Sequence, residues 1–234
     1  MFYKTKNQND IINTELLKSY EIGYTFGNKP IKRIKTKPEV ENKIELLKNL
    51  SNKISKIENC KLKSSASKLV FSDGDYNSYL MIVGEGPGQK EDEIGKPFVG
   101  DAGVLLNKML EAINIKRSKV YITNVVNYRP PNNRKPQLSE INRYAVFLRE
   151  HINIIDPKIL ILMGSTAMEA LFGQTLKISE ERGKWKEVII NQKTYKIILT
   201  FHPAYLLRQP DQKKYSWEDL KMIRKRINEL KISF

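Results

Sequence analysis

The stretch YLMIVGE, Tyr79–Glu85, runs four aliphatic residues in a row with no polar residue between them. A strand with one wet face alternates apolar and polar residues. An unbroken aliphatic run belongs to a strand covered on both faces, as in parallel sheets. Three further runs have this character: KVYITNVV (119–126), KILILMG (158–164) and KIILTF (196–201). Helical patterns lie around and between them. ENKIELLKNLSNKISKI repeats Ile44, Leu47, Ile54 and Ile57 at three- and four-residue steps. DAGVLLNKMLEAINI sets Val104, Leu105, Met109, Leu110 and Ile113 on one face, with Asp101 as N-cap. SEINRYAVFLREHINII starts from Ser139 as a cap, STAMEALFG closes at Gly173, and SWEDLKMIRKRINELK ends the chain. Strands alternating with helices predict an α/β protein whose parallel sheet is covered on both sides.

The 234 residues suit one α/β domain with an extension, or two small domains. Lys and Arg number 41 against 26 Asp and Glu, a net charge of +15. That excess fits a polyanionic partner, nucleic acid or an anionic membrane surface. It also fits a plain Lys-, Ile- and Asn-rich composition. A single cysteine, Cys60, excludes an intrachain disulfide and agrees with a reducing compartment. MFYKTKNQND has no apolar signal core, and no stretch nears the roughly 20 apolar residues of a membrane span. A soluble, cytoplasmic protein is expected. Residues 1–40 read as a basic N-terminal extension, with Lys29, Lys32, Arg33, Lys35 and Lys37 between two prolines. Residues 41–234 read as the catalytic domain.

In such sheets ligands bind at the carboxyl ends of the strands. The first strand ends in GEGPGQKEDEIGKPFVG, where Gly84, Gly86 and Gly88 flank the carboxylate of Glu85. The pattern matches neither the dinucleotide fingerprint nor a P-loop. A ligand-approaching loop and a tight turn both fit it. The second strand ends near Asn124, whose amide can read an edge carrying both a donor and an acceptor, such as an imide, or can serve as a turn residue. The fourth ends in TFHPAYLLRQP, with His202 at the strand end. His151, within a charged helix, reads as a surface residue. Tyr205, Leu206, Leu207 and Arg208 fit either apolar wedges beside a base, suited to a DNA stack, or buried loop anchors. Together these residues describe a small pocket within a polyanion-binding face.

The motifs GEGPGQKEDEIGKPFVGDAG, YITNVVNYRPPNNRKP, DPKILILMGSTAMEALFG and TFHPAYLLR resemble those of the family 4 uracil-DNA glycosylases, over roughly residues 41–230. The resemblance implies a three-layer αβα sandwich with a central four-stranded parallel sheet. It implies hydrolysis of the N-glycosidic bond of deoxyuridine in DNA, with the base flipped into a pocket. Carried over residue by residue, Phe98 stacks on the uracil and Asn124 bonds its edge. Gly84, Gly86 and Glu85 line the pocket, Glu91 lies towards C5, and His202 faces O2. Leu206, Leu207 and Arg208 form the loop that enters the duplex, with Tyr205 beside them. From the residues themselves, the stiff RPPNNR loop with Arg129 and Arg134 meets the DNA backbone or supports that face. Many active superfamily members carry Asp after the position of Glu85; Gly86 stands there here. Glu85 is therefore the candidate for activating water, and water oriented by backbone is the rival. The family's four-iron, four-sulfur cluster takes four cysteines. Their positions hold Ile57, Cys60, Tyr128 and Tyr144, so a protein without cluster, metal or other cofactor is expected, its two tyrosines and Ile57 forming an apolar knot. The expected partner is uracil-containing DNA, single- or double-stranded, with no membrane, bound by a monomer. Two alternatives stay open: a DNA-binding protein on this fold with reduced catalysis, and a glycosylase for other deaminated bases.

Overall fold

In the computed structural model, which describes residues 40–173 and 177–233, the four aliphatic runs form strands β2 (Leu80–Gly84), β3 (Tyr121–Asn124), β4 (Ile159–Met163) and β6 (Lys193–Thr200). All four are parallel. Two antiparallel edge strands that the sequence pattern did not reveal extend the sheet: β1 (Asp73–Gly74) beside β3 and β5 (Trp185–Ile190) beside β6. The order is β1-β3-β2-β4-β6-β5. β5 and β6 form a hairpin across Asn191 and Gln192, both with positive φ, as a tight primed turn requires. The basic extension lies outside the described residues.

Period-two alternation along the buried strands sends their side chains into two cores. Met81, Val83, Leu160 and Leu162 pack on one side with α1 (Val40–Ser55), α5 (Leu138–Ile155) and α6 (Ser165–Phe172). Leu80, Ile82, Ile159 and Ile161 pack on the other with α4 (Asp101–Glu111), α8 (Pro203–Arg208) and α9 (Lys213–Glu229). This is the three-layer αβα arrangement expected.

Details of phase depart from the sequence reading. Leu106, not Val104, faces the core from α4, and Val104 and Ile44 are exposed. Gly100 caps α4 with Asp101 inside its first turn, and Gln137 rather than Ser139 precedes α5. His151 is 2% exposed, contrary to the surface reading. Its Nε2 lies 2.6 Å from Tyr121 Oη, and its ring stacks on Phe71 at 4.7 Å. Burial pushes its pKa down to about 3.

The far core is tied to the sheet by a buried ion pair. Asp219 of α9 accepts from Thr200 Oγ1 at 2.7 Å and from Arg182, which reaches it with two nitrogens. Desolvation nonetheless pushes the Asp219 carboxyl up.

The path from β2 to β3 runs through α4 on one face, and that from β3 to β4 through α5 on the other. The carboxyl ends of β2 and β4 therefore diverge at a switch point, where α/β sheets open a crevice.

Candidate active site

A cleft of about 700 Å³ occupies that crevice, walled by residues at and just beyond the ends of β2, β3 and β6. Gly84, the last residue of β2, packs against two of its lining side chains. A β-carbon there would lie 2.4 Å from Asn124 Oδ1 and 2.5 Å from Phe98 Cζ. Only glycine lets the amide of β3 and the ring of the following loop converge over this backbone.

Asn124 is 3% exposed, and its Oδ1 is buried with no hydrogen-bond partner. Buried acceptors without partners are rare and costly. This one borders the cleft beside Phe98 and His202, so an incoming donor can satisfy it.

His202 caps α8. Its Nδ1 accepts the Ala204 backbone N–H at 3.2 Å. A backbone amide can only donate, so Nδ1 carries no proton and a neutral ring must hold its proton on Nε2. Burial of the ring, with Arg208 second, pushes its pKa down to about 4. Phe98 stacks on the imidazole at 5.4 Å with 28° between planes.

Glu85 follows β2, and its Oε2 accepts from Thr166 Oγ1 at 2.5 Å. Thr166, on the first turn of α6, was not singled out from sequence. Its signal was its place in the helix that opens after β4, across the switch point. Glu91 borders the cleft, but its carboxylate is spent on backbone: Gly88 N at 3.1 Å, Val99 N at 2.9 Å and Gly100 N at 2.7 Å. It joins the glycine loop to the start of α4 and so fixes the cleft wall.

The basic rim is thinner than expected. Arg134 forms a two-pronged ion pair with Glu140, at 2.8 and 2.7 Å, so it braces the loop rather than standing ready for a phosphate. That pairing holds the Glu140 carboxyl below its usual range. Arg129 Nε donates to Asn133 Oδ1 at 2.8 Å. Leu206 is a correction: it is 1% exposed and packs in the core with α9, so it cannot enter a duplex in this conformation. Leu207, 44% exposed, is the free apolar tip, with Arg208 exposed beside it. Tyr205 packs on Phe201 at 5.0 Å and borders the cleft.

Tyr128 and Tyr144 lie in the core on the α1, α5 and α6 side of the sheet, with Ile57 and Cys60 half-buried against it. Cys60 Sγ lies 3.4 Å from Tyr144 Oη. Burial raises the pKa of both tyrosines, with Cys60 adding to it. The chain's one cysteine is engaged with a phenol, and no group of three or more His, Cys, Asp or Glu able to hold a metal occurs among the described residues. This donor set does not fit a cluster that takes four thiolates. Among the described residues no helix is long and apolar enough to cross a membrane.

The profile of the Uracil DNA glycosylase superfamily matches residues 71–230, which contain every cleft residue named here. The type-4 uracil-DNA glycosylase of Thermotoga maritima is 39% identical over 165 residues, 70% of this chain and 84% of its own. That of Sulfurisphaera tokodaii is 36% identical over 189 residues, 77% and 84% of the two chains. That of Archaeoglobus fulgidus is 35% identical over 184 residues, 77% and 92%. With the cleft at the switch point and these matches across its full extent, the chain belongs to the type-4 uracil-DNA glycosylases of the Uracil DNA glycosylase superfamily.

Proposed function

We propose that this protein removes uracil from DNA by hydrolysing the N-glycosidic bond of a flipped deoxyuridine, leaving an abasic site for base excision repair. The observation that carries the reading is the buried, unpartnered Oδ1 of Asn124 beside Phe98 and His202. A flat pyrimidine imide offers what those three groups lack: a ring face, a donor at N3 and acceptors at O2 and O4.

In this reading the base stacks on Phe98, its N3–H donates to Asn124 Oδ1, and its O4 accepts from the amide nitrogen. As the C1′–N1 bond breaks, the electron pair passes to the base and the sugar becomes oxocarbenium-like. The Nε2–H of neutral His202 donates to O2, where negative charge grows. One such donor contributes about 3–4 kcal/mol to the transition state. Water adds to C1′, and its proton passes to Glu85. The Thr166 hydroxyl occupies one oxygen of that carboxylate and leaves the other for the water. Exposed Leu207 takes the vacated place in the stack, with Arg208 towards phosphates. None of these steps needs a metal or cluster, and we propose that the enzyme works without one, with Tyr128 and Tyr144 supporting the fold where the cluster would stand.

The test is cleavage of oligonucleotides holding one uracil opposite G, opposite A, or single-stranded, followed by alkali. Strand scission at the uracil is expected on at least one of them. Absence of scission on all three overturns the reading.

A further inference from the structure

Phe98 carries the flat wall of the cleft, yet its φ is +53°, in the left-handed region that bulky residues avoid. Such a conformation persists only where the surroundings over-determine it. Here the constraint comes from a residue nineteen positions later. Arg117 Nη1 donates to the Phe98 carbonyl at 3.0 Å and to Asn107 Oδ1 at 3.2 Å, and Nη2 donates to the Pro97 carbonyl at 2.8 Å. Asp73 Oδ2 anchors the other edge of the guanidinium, at 3.0 Å from Nε and 2.9 Å from Nη2, with Lys96 3.7 Å from the same carboxylate. Gly103 completes the clamp: a β-carbon there would lie 1.9 Å from the Phe98 oxygen, so the strained peptide lies flat on α4.

We infer that Arg117 is a positioning residue that sets the stacking face of Phe98, and through it the fit of the pyrimidine ring; what Phe98 stacks on rests on the glycosylase reading above. Arg117 touches no reacting atom. Its planar fork meets two successive carbonyls, an amide and a carboxylate together, a geometry that a lysine ammonium cannot reproduce. The clamp also explains the edge strand β1, which brings Asp73 against β3 and the turn that carries Arg117.

Arg117→Met, Arg117→Lys and Asp73→Asn test this with kcat/KM and three further readouts: hydrogen exchange of the peptide over residues 95–103, inhibition by free uracil, and affinity for abasic-site duplex. In Arg117→Met, exchange speeds at least tenfold, uracil inhibits about tenfold less well, and kcat/KM falls about 100-fold, as expected for misplacement near 1 Å. Abasic-duplex affinity stays within about twofold, because the clamp lies behind the wall and not on the rim. Arg117→Lys behaves like Arg117→Met, whereas Asp73→Asn, which keeps the guanidinium on the carbonyls, retains most activity. Unchanged exchange and uracil inhibition in folded Arg117→Met overturn the inference, as does full rescue by lysine. If the methionine variant fails to fold, the lysine variant is read by the same three measurements. Should the wild type not cut uracil DNA, exchange alone still reports whether Arg117 holds the Phe98 loop, so the two failures are separable.

Discussion

Asn124→Ala separates the stability of this protein from its activity. A buried acceptor left without a partner costs about 1–3 kcal/mol, and Asn124 Oδ1 is such an atom in the free protein. Truncation removes it. The side chain borders an open cleft, so no sealed cavity remains, and the carbon area lost is one atom's worth, about 0.5 kcal/mol. The net effect is a gain of about 1–2 kcal/mol, or about 3–6 °C in Tm for a domain of this size. Catalysis moves the other way. On the proposed binding of the base, the variant loses both bonds to the pyrimidine edge, and excision should fall about 100- to 1,000-fold, by the scale of a single oxyanion donor. Differential scanning fluorimetry and single-turnover excision on a uracil oligonucleotide read the two effects on one preparation. A variant that melts below the parent would mean that Oδ1 is already satisfied in the free protein. One that excises at the parental rate would mean that the amide does not meet the base. Either result refutes the reasoning.

Three further outcomes follow from the geometry. Gly84→Ala places a β-carbon within 2.6 Å of both Asn124 and Phe98 and should cut single-turnover excision at least 100-fold, about the cost of a misplacement near 1 Å, while circular dichroism stays parental. Asp219→Ala leaves Arg182 unpaired at the α9–β6 junction and should lower urea stability by about 3 kcal/mol, the low end for a broken buried pair because Arg182 keeps some exposure. His151 has a folded pKa near 3 against 6.5 unfolded, so the unfolded chain takes up a proton that the folded one refuses. Its contribution is present above pH 6.5 and is lost as pH falls towards 3, about 2 kcal/mol by pH 5. His202 pulls in the same direction. A urea midpoint that stays level from pH 7 to pH 5 contradicts this.

The four parallel strands were legible because the central stretch of each is sheathed on both faces and so is largely apolar, whereas the first half of β6, KTYK, is mostly exposed and gave no such signal. The edge strands were not: β1 is two residues long, and β5, WKEVII, mixes a half-buried lysine and an exposed glutamate into its run as an edge does. The pocket residues were legible because strand ends at a switch point collect function. What escaped was orientation within a turn. Leu206 and Leu207 are neighbours in sequence but point apart by about 100° on a helix, one into the core and one out. His151 stands three residues after Leu148 and four before Ile155, on the buried stripe of α5, and that spacing outweighs the charges around it. For Arg134, DNA contact and support of the face both stayed open in the sequence, because its partner, Glu140, is reached only when the loop folds back on α5. Glu91 had a local signal in its place three residues after Gly88, the third position of a short helix.

Uracil release by protein that carries no iron is the central proposal. Purified protein should be assayed for iron per chain and for free uracil and abasic sites produced from an oligonucleotide with one uracil. The expected result is one uracil per abasic site, with specific activity independent of iron content across preparations. No uracil released, or activity that rises in proportion to bound iron, contradicts it.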